Sequence, residues 1–194
     1  MDGGTAVKKM MCISAALLLM GGCGQEDLTS MGTELFNQDG DSLGTVKLSE
    51  QPEGVKFDIV LEGLQPGEHG VHIHQNPDCE GPDFVTAGDH YNPDNKKHGL
   101  LNPEGAHLGD LPNIITDSDG KTQAEIMGPK LTLKKGSKNS LLFKGGTSLV
   151  ITETKDDGMS QPAGESGARI ACGKITEKEA NRRDKKEIDI EAKP

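Results

Sequence analysis

Five of the six histidines in this chain, His72, His74, His90, His98 and His107, fall between Gly70 and Pro112, and Asp110 closes the series. Imidazole and carboxylate are the donors that bind divalent transition metals, so the first chemistry to consider is metal binding. His72 and His74 alternate within Gly-Val-His-Ile-His, flanked by the apolar Val71 and Ile73. Strand alternation sends both imidazoles to one side of a sheet, which is how a strand offers two ligands to one ion. After Gln75 the alternation stops. His90, His98, His107 and Asp110 follow through a segment rich in Gly, Pro and Asn that suits neither a regular helix nor a strand. A loop this long in a compact domain is functional or disordered, and repeated imidazole with one carboxylate favours a loop folded around metal.

The elements that must position these residues read as short strands. Thr33 to Asn37 is followed by a turn at Gln38-Asp39-Gly40, then by Val46 and Leu48 alternating with polar neighbours, then by a turn over Gln51 to Gly54. Val55, Phe57, Ile59 and Leu61 alternate next, so three antiparallel strands in meander order are expected. The Leu64 to Glu68 turn leads into the His-x-His strand. Beyond the histidine loop, Asn113 to Thr116 and Thr122 to Met127 flank the hairpin signal Asp119-Gly120. Leu131 to Leu133, Leu149 to Glu153 and Ala168 to Cys172 complete the expected strand set, with a second polar loop from Lys155 to Gly167. The 194 residues contain 26 Gly and 10 Pro, enough turns for an all-β sandwich or barrel of short strands.

The formal net charge of −10 excludes nucleic acid as a partner and repels anions at long range, so a small anion needs a locally positive site. At the N-terminus Lys8 and Lys9 precede an apolar run, Met10 to Met20, too short for a permanent span, and then Gly21, Gly22 and Cys23. This pattern resembles a bacterial lipoprotein signal peptide over residues 1–22, with Cys23 acylated at the head of a tether over 23–31. The alternative is an ordinary secretory signal cleaved near Gly22 or Gly24. Either address exports the chain; the first leaves it lipid-anchored to the extracytoplasmic side of a membrane. Cys12 lies within the leader and Cys23 would carry lipid, which leaves Cys79 and Cys172 as an even pair expected to be bonded. Two buried free thiols are the alternative, disfavoured by the polar Asn-Pro-Asp-Cys-Glu-Gly setting of Cys79. The segment 176–194 mixes acids and bases densely with few apolar anchors and reads as a solvated helix or a disordered extension.

From about Gly32 to Ile175 the chain resembles the copper/zinc superoxide dismutases in their exported bacterial form. Five segments in order carry the likeness: Gly-Glu-His-Gly-Val-His-Ile-His, Ala-Gly-Asp-His-Tyr-Asn-Pro, Lys-His-Gly-Leu, Gly-Ala-His-Leu-Gly-Asp-Leu-Pro and Ser-Gly-Ala-Arg-Ile-Ala-Cys-Gly. The resemblance implies a Greek-key β-sandwich or flattened barrel, immunoglobulin-like, with two long functional loops over residues 32–175. It implies that His72, His74 and His90 bind copper, and that His90, His98, His107 and Asp110 bind zinc, His90 bridging the two. Asp156 matches the carboxylate that bonds one histidine from each site. Arg169 matches a guanidinium beside copper that draws in superoxide, against the alternative of a surface salt bridge. His69 matches a position that pins backbone rather than metal.

One position departs from the pattern. Where the family places a fourth copper histidine, this chain has Thr152, and a neutral hydroxyl is a poor copper ligand beside imidazole. The implied function is conversion of superoxide to dioxygen and hydrogen peroxide, with activity lowered or limited by copper loading. The alternative from another class is a non-catalytic surface lipoprotein that buffers or carries copper and zinc. The expected partners are superoxide and a membrane, with a homodimer left open.

Overall fold

The computed structural model describes residues 28–180 together with Met1 and Gly3; the expectations for the leader, Cys12, Cys23 and the tail from 181 onward lie outside the described residues. Eight strands make up the body: β1 (Ser30–Asn37), β2 (Ser42–Gln51), β3 (Gly54–Glu62), β4 (Gly67–His74), β5 (Asp110–Thr116), β6 (Lys121–Pro129), β7 (Thr147–Thr152) and β8 (Arg169–Ile175). They form one antiparallel sheet in the order β5-β4-β7-β8-β1-β2-β3-β6. The two ends of that order, β5 and β6, pack together and are joined by a tight turn, so the sheet curls into a nearly closed barrel. In that turn the Asp117 carboxylate accepts the amides of Asp119 and Lys121, and Gly120 takes a positive φ of 77°.

Alternation explains which side faces in. On β3, Val55, Phe57, Ile59 and Leu61 are all but fully buried, whereas Val60 on the opposite face is 54% exposed. Val71 and Ile73 of β4, Leu149 and Ile151 of β7, and Ala171 and Ile175 of β8 join the same interior. Each large side chain buried there contributes about 1.5–3 kcal/mol, and this interior is the main stabilising feature of the fold.

The residues between those core positions point out of the barrel, and this outer face is where the loops attach. Val150 and Cys172, register partners on β7 and β8, are buried from outside by Phe84 and Ala87, with Cys79 against them. Cys79 is disulfide-bonded to Cys172, as the cysteine count leads one to expect, and so fastens the first part of the histidine loop to β8. A second, smaller apolar cluster thus seats that loop on the wall.

Two stretches differ from expectation. Leu131 to Leu133 is not a strand: both leucines are buried, but Thr132 makes only an isolated bridge to Ser140. The Glu50 carboxylate accepts the Thr132 hydroxyl at 2.7 Å and the Leu133 amide at 2.6 Å, taking the place of a neighbouring strand. Past β8, residues 177–180 make a helical turn, and Ala180 is buried against the barrel core.

Candidate metal centre

His72 and His74 project from the outer face of β4, opposite Val71 and Ile73. Each ring is held by one nitrogen. His72 Nε2 lies 2.6 Å from Asp156 Oδ2, and His74 Nδ1 lies 2.9 Å from the Gly88 carbonyl. The other nitrogen of each ring, His72 Nδ1 and His74 Nε2, is buried without a hydrogen-bond partner. Leaving a buried polar atom unpaired costs on the order of 1–3 kcal/mol, so two such atoms side by side mark a place built for another occupant. His90 comes over them from the loop, its ring stacked on His72 at a centroid distance of 4.0 Å. Donor atoms of His72, His74 and His90 lie within 4.8 Å of one another.

The same holds for His90, His98, His107 and Asp110, so His90 belongs to both groups. Asp110 organises the second one. Its Oδ2 accepts the Gly99 amide at 2.8 Å and the His107 amide at 2.9 Å, which fixes the carboxylate by backbone. Its Oδ1 then faces three imidazoles, with His90 Nδ1 at 2.9 Å, His98 Nδ1 at 3.1 Å and His107 Nδ1 at 3.3 Å. The last of these is close but not aligned for a hydrogen bond, so His107 Nδ1 is a third unpaired buried nitrogen. Three imidazole nitrogens converging on one carboxylate oxygen form an N3O set that fits tetrahedral zinc, and the His72, His74 and His90 trio fits copper.

Electrostatics separates the rings. Burial, seconded by the charge of His90, lowers the His74 pKa to about 2. Burial likewise lowers His90 to about 4, against the opposing hydrogen bond from Asp110. For His98 burial works downward too, but hydrogen bonds to Asp110 and Asp156 outweigh it and raise the pKa to about 9. Burial would raise both carboxyls; instead the surrounding imidazoles hold Asp110 and Asp156 far below the ordinary carboxylate range.

Asp156 sits in the second loop and joins the two groups, bonding His72 Nε2 through one oxygen and His98 Nε2 through the other at 3.1 Å. Its backbone is paired on both sides with the Asn113 side chain of β5. The chain passes so close here that a Cβ on Gly164 would lie 2.0 Å from Asp156 Oδ1 and 2.8 Å from His98 Nε2. Arg169 donates to the Phe84 carbonyl at 2.8 Å and the Gly88 carbonyl at 2.9 Å. Its guanidinium is therefore fixed by backbone of the disulfide-bonded loop rather than by a surface salt bridge. With His74, His90 and Thr152 it lines a cavity of about 450 Å³. The Thr152 hydroxyl is turned to backbone, 3.3 Å from the Gly70 carbonyl and 3.2 Å from that of Thr154. The two ring nitrogens of His69 lie 2.9 Å and 2.8 Å from the carbonyls of Thr152 and Gln65, a backbone-spanning place.

Sequence reasoning passed over Phe84, Gly88, Asn113 and Gly164. Three of them act through backbone or through the lack of a side chain, which residue type does not advertise. Gly88 could have been suspected, since it directly precedes Asp89-His90.

Comparison with known proteins agrees with this geometry. The family model for copper/zinc superoxide dismutase matches residues 42–175, more than half of the chain. Cu-Zn superoxide dismutase 2 of Aquifex aeolicus is 46% identical over 164 residues, covering 84% of this chain and 95% of that protein. Among solved structures, a SOD-like protein from Bacillus subtilis has a TM-score of 0.73 at 39% identity, covering 75% of this chain and 97% of that one. The Cu/Zn superoxide dismutase of Brucella abortus has a TM-score of 0.63 at 34% identity, covering 75% and 99%. Two histidine groups sharing one imidazole on the outer wall of an eight-stranded barrel, together with a family match across nearly all of that barrel, place this chain in the copper/zinc superoxide dismutase family.

Proposed function

We propose that this protein dismutes superoxide at a copper site made by His72, His74 and His90, beside a zinc site made by His90, His98, His107 and Asp110. The observation that carries the assignment is the sharing of His90 between two donor groups, the first leaving two buried nitrogens unpaired and the second one. Copper supplies the one-electron couple by which two superoxide anions and two protons become dioxygen and hydrogen peroxide. Arg169, locked to the Phe84 and Gly88 carbonyls, presents a fixed positive charge to an anion entering the cavity. His90 holds Nδ1 toward Asp110, which leaves its other nitrogen for the His72 and His74 group, so that one ring would serve both metals. Asp156 fixes which nitrogen of His72 and of His98 is left for metal. Storage or transport of copper needs neither a locked guanidinium nor an open cavity, so the non-catalytic reading has less support.

We further propose that the chain is exported and held at the extracytoplasmic face of a membrane by lipid on Cys23, on the strength of the Lys8-Lys9, apolar run and Gly-Gly-Cys order. Radiolabelled palmitate incorporated by the native chain and absent from Cys23→Ser tests this.

The catalytic assignment is tested with copper- and zinc-loaded protein in a dismutation assay. His74→Ala should bring the rate down to that of free copper, and Thr152→His should raise both copper retention and rate. A loaded native protein no faster than an equal amount of free copper would overturn it.

A further inference from the structure

The cavity over His74 and His90 has two permanently charged residues in its lining, Arg169 and Asp89. They are close by construction. The Arg169 guanidinium is bonded to the carbonyl of Gly88, and Asp89 is the next residue, so covalent geometry keeps its carboxylate within roughly 9 Å of the guanidinium. They form no ion pair among the described residues: the Arg169 guanidinium donates to backbone carbonyls, and Asp89 is exposed. The two charges nevertheless sense each other. Burial lowers the Arg169 pKa, and the field of Asp89, followed by that of Asp83, opposes this. Asp83 is not part of the cavity lining. With a net charge of −10, the rest of the molecule offers anions no long-range attraction that could mask this local balance.

We propose that Asp89 is a specificity-determining residue of the cavity: sharing its lining with Arg169, it lets small monovalent anions in and holds divalent oxyanions out. The inference rests on the superoxide reading above and names which other anions that site rejects. A carboxylate and an anion about 7 Å apart in a medium of effective dielectric 40–80 repel enough to weaken binding roughly three- to sevenfold per anion charge. A divalent anion therefore suffers roughly the square of that factor, about ten- to fiftyfold. That difference separates a monovalent substrate from sulfate or phosphate without any shape-selective contact.

The test uses the full chain loaded with copper and zinc, azide as the monovalent probe read by its charge-transfer absorption on copper, and sulfate as a competitor at constant low ionic strength. Asp89→Asn should tighten azide binding about three- to sevenfold and strengthen sulfate competition by a distinctly larger factor. Asp83→Asn, with the same change in net charge, should move both much less. The native Asp89 side chain is exposed and has no hydrogen bond among the described residues, so the variant retains the fold. Unchanged constants in Asp89→Asn, or equal shifts in Asp83→Asn, would overturn the inference while leaving the copper site intact. Azide that perturbs copper in no variant would overturn the functional reading and this inference with it.

Discussion

In the proposed zinc site, His98 is the residue whose raised pKa stands against metal binding. Held between Asp110 and Asp156, it keeps a proton up to about pH 9 in the metal-free protein, whereas His74 and His90 are neutral at pH 7. A raised histidine pKa stabilises the metal-free fold fully below the ordinary value near 6.5, and that contribution is lost as pH rises through about 9. Zinc bound as proposed would displace this proton. Zinc affinity of the metal-free chain should therefore rise by up to about tenfold per pH unit from pH 7 to 9, with roughly one proton released per zinc at pH 7. Calorimetric titration in buffers of different ionisation enthalpy measures the release, and an affinity flat over that range would contradict the role given to His98. Thr152 makes the complementary point. The resemblance marked it as a departure from the pattern, but only the structure shows its hydroxyl already committed to the Gly70 and Thr154 carbonyls.

At the scale of elements, the strand carrying His72 and His74 was legible because apolar alternation is unambiguous, and the β1–β3 meander and the Asp119-Gly120 turn were legible for the same kind of reason. Leu131 to Leu133 was misread because burial imitates a strand when a side chain, here Glu50, supplies the missing hydrogen bonds. The candidate loop ligands could be named from residue type and family pattern, but not what orients them. Gly88 serves His74 and Arg169 together through one carbonyl, and Gly164 leaves room for Asp156. Cys79–Cys172 ties that Gly88-bearing loop to β8, with a sequence separation of 93 residues. Replacing both cysteines by serine should lower stability by about 2–4 kcal/mol, read as a lower urea midpoint. The same variant should lose anion affinity at the copper site, because Arg169 would no longer be held by a fixed loop. Undiminished azide binding in that variant would show that the loop keeps its place without the bond.

For the whole molecule, the barrel interior and the metal centre lie on opposite sides of the same strands. Val71, Ile73, Leu149 and Ile151 pack inward while His72, His74 and Thr152 face the loops. Removing metal with a chelator should therefore loosen the loops first. Amide exchange should accelerate around His98, His107 and Asp156 while β1, β2 and β3 stay protected, with global stability falling by less than the whole zinc-binding energy. Uniform loss of protection across all eight strands would mean that wall and loops unfold as one unit.

Because the candidate ligands are mounted on the exterior, a substitution among them leaves no hole in the barrel interior. Exchange of an imidazole for a small hydroxyl at such an outward-facing position would leave the barrel folded. The chemistry of this scaffold is in that sense free to drift, gaining, weakening or changing its redox habit by single codons, while the architecture that carries it is inherited unaltered.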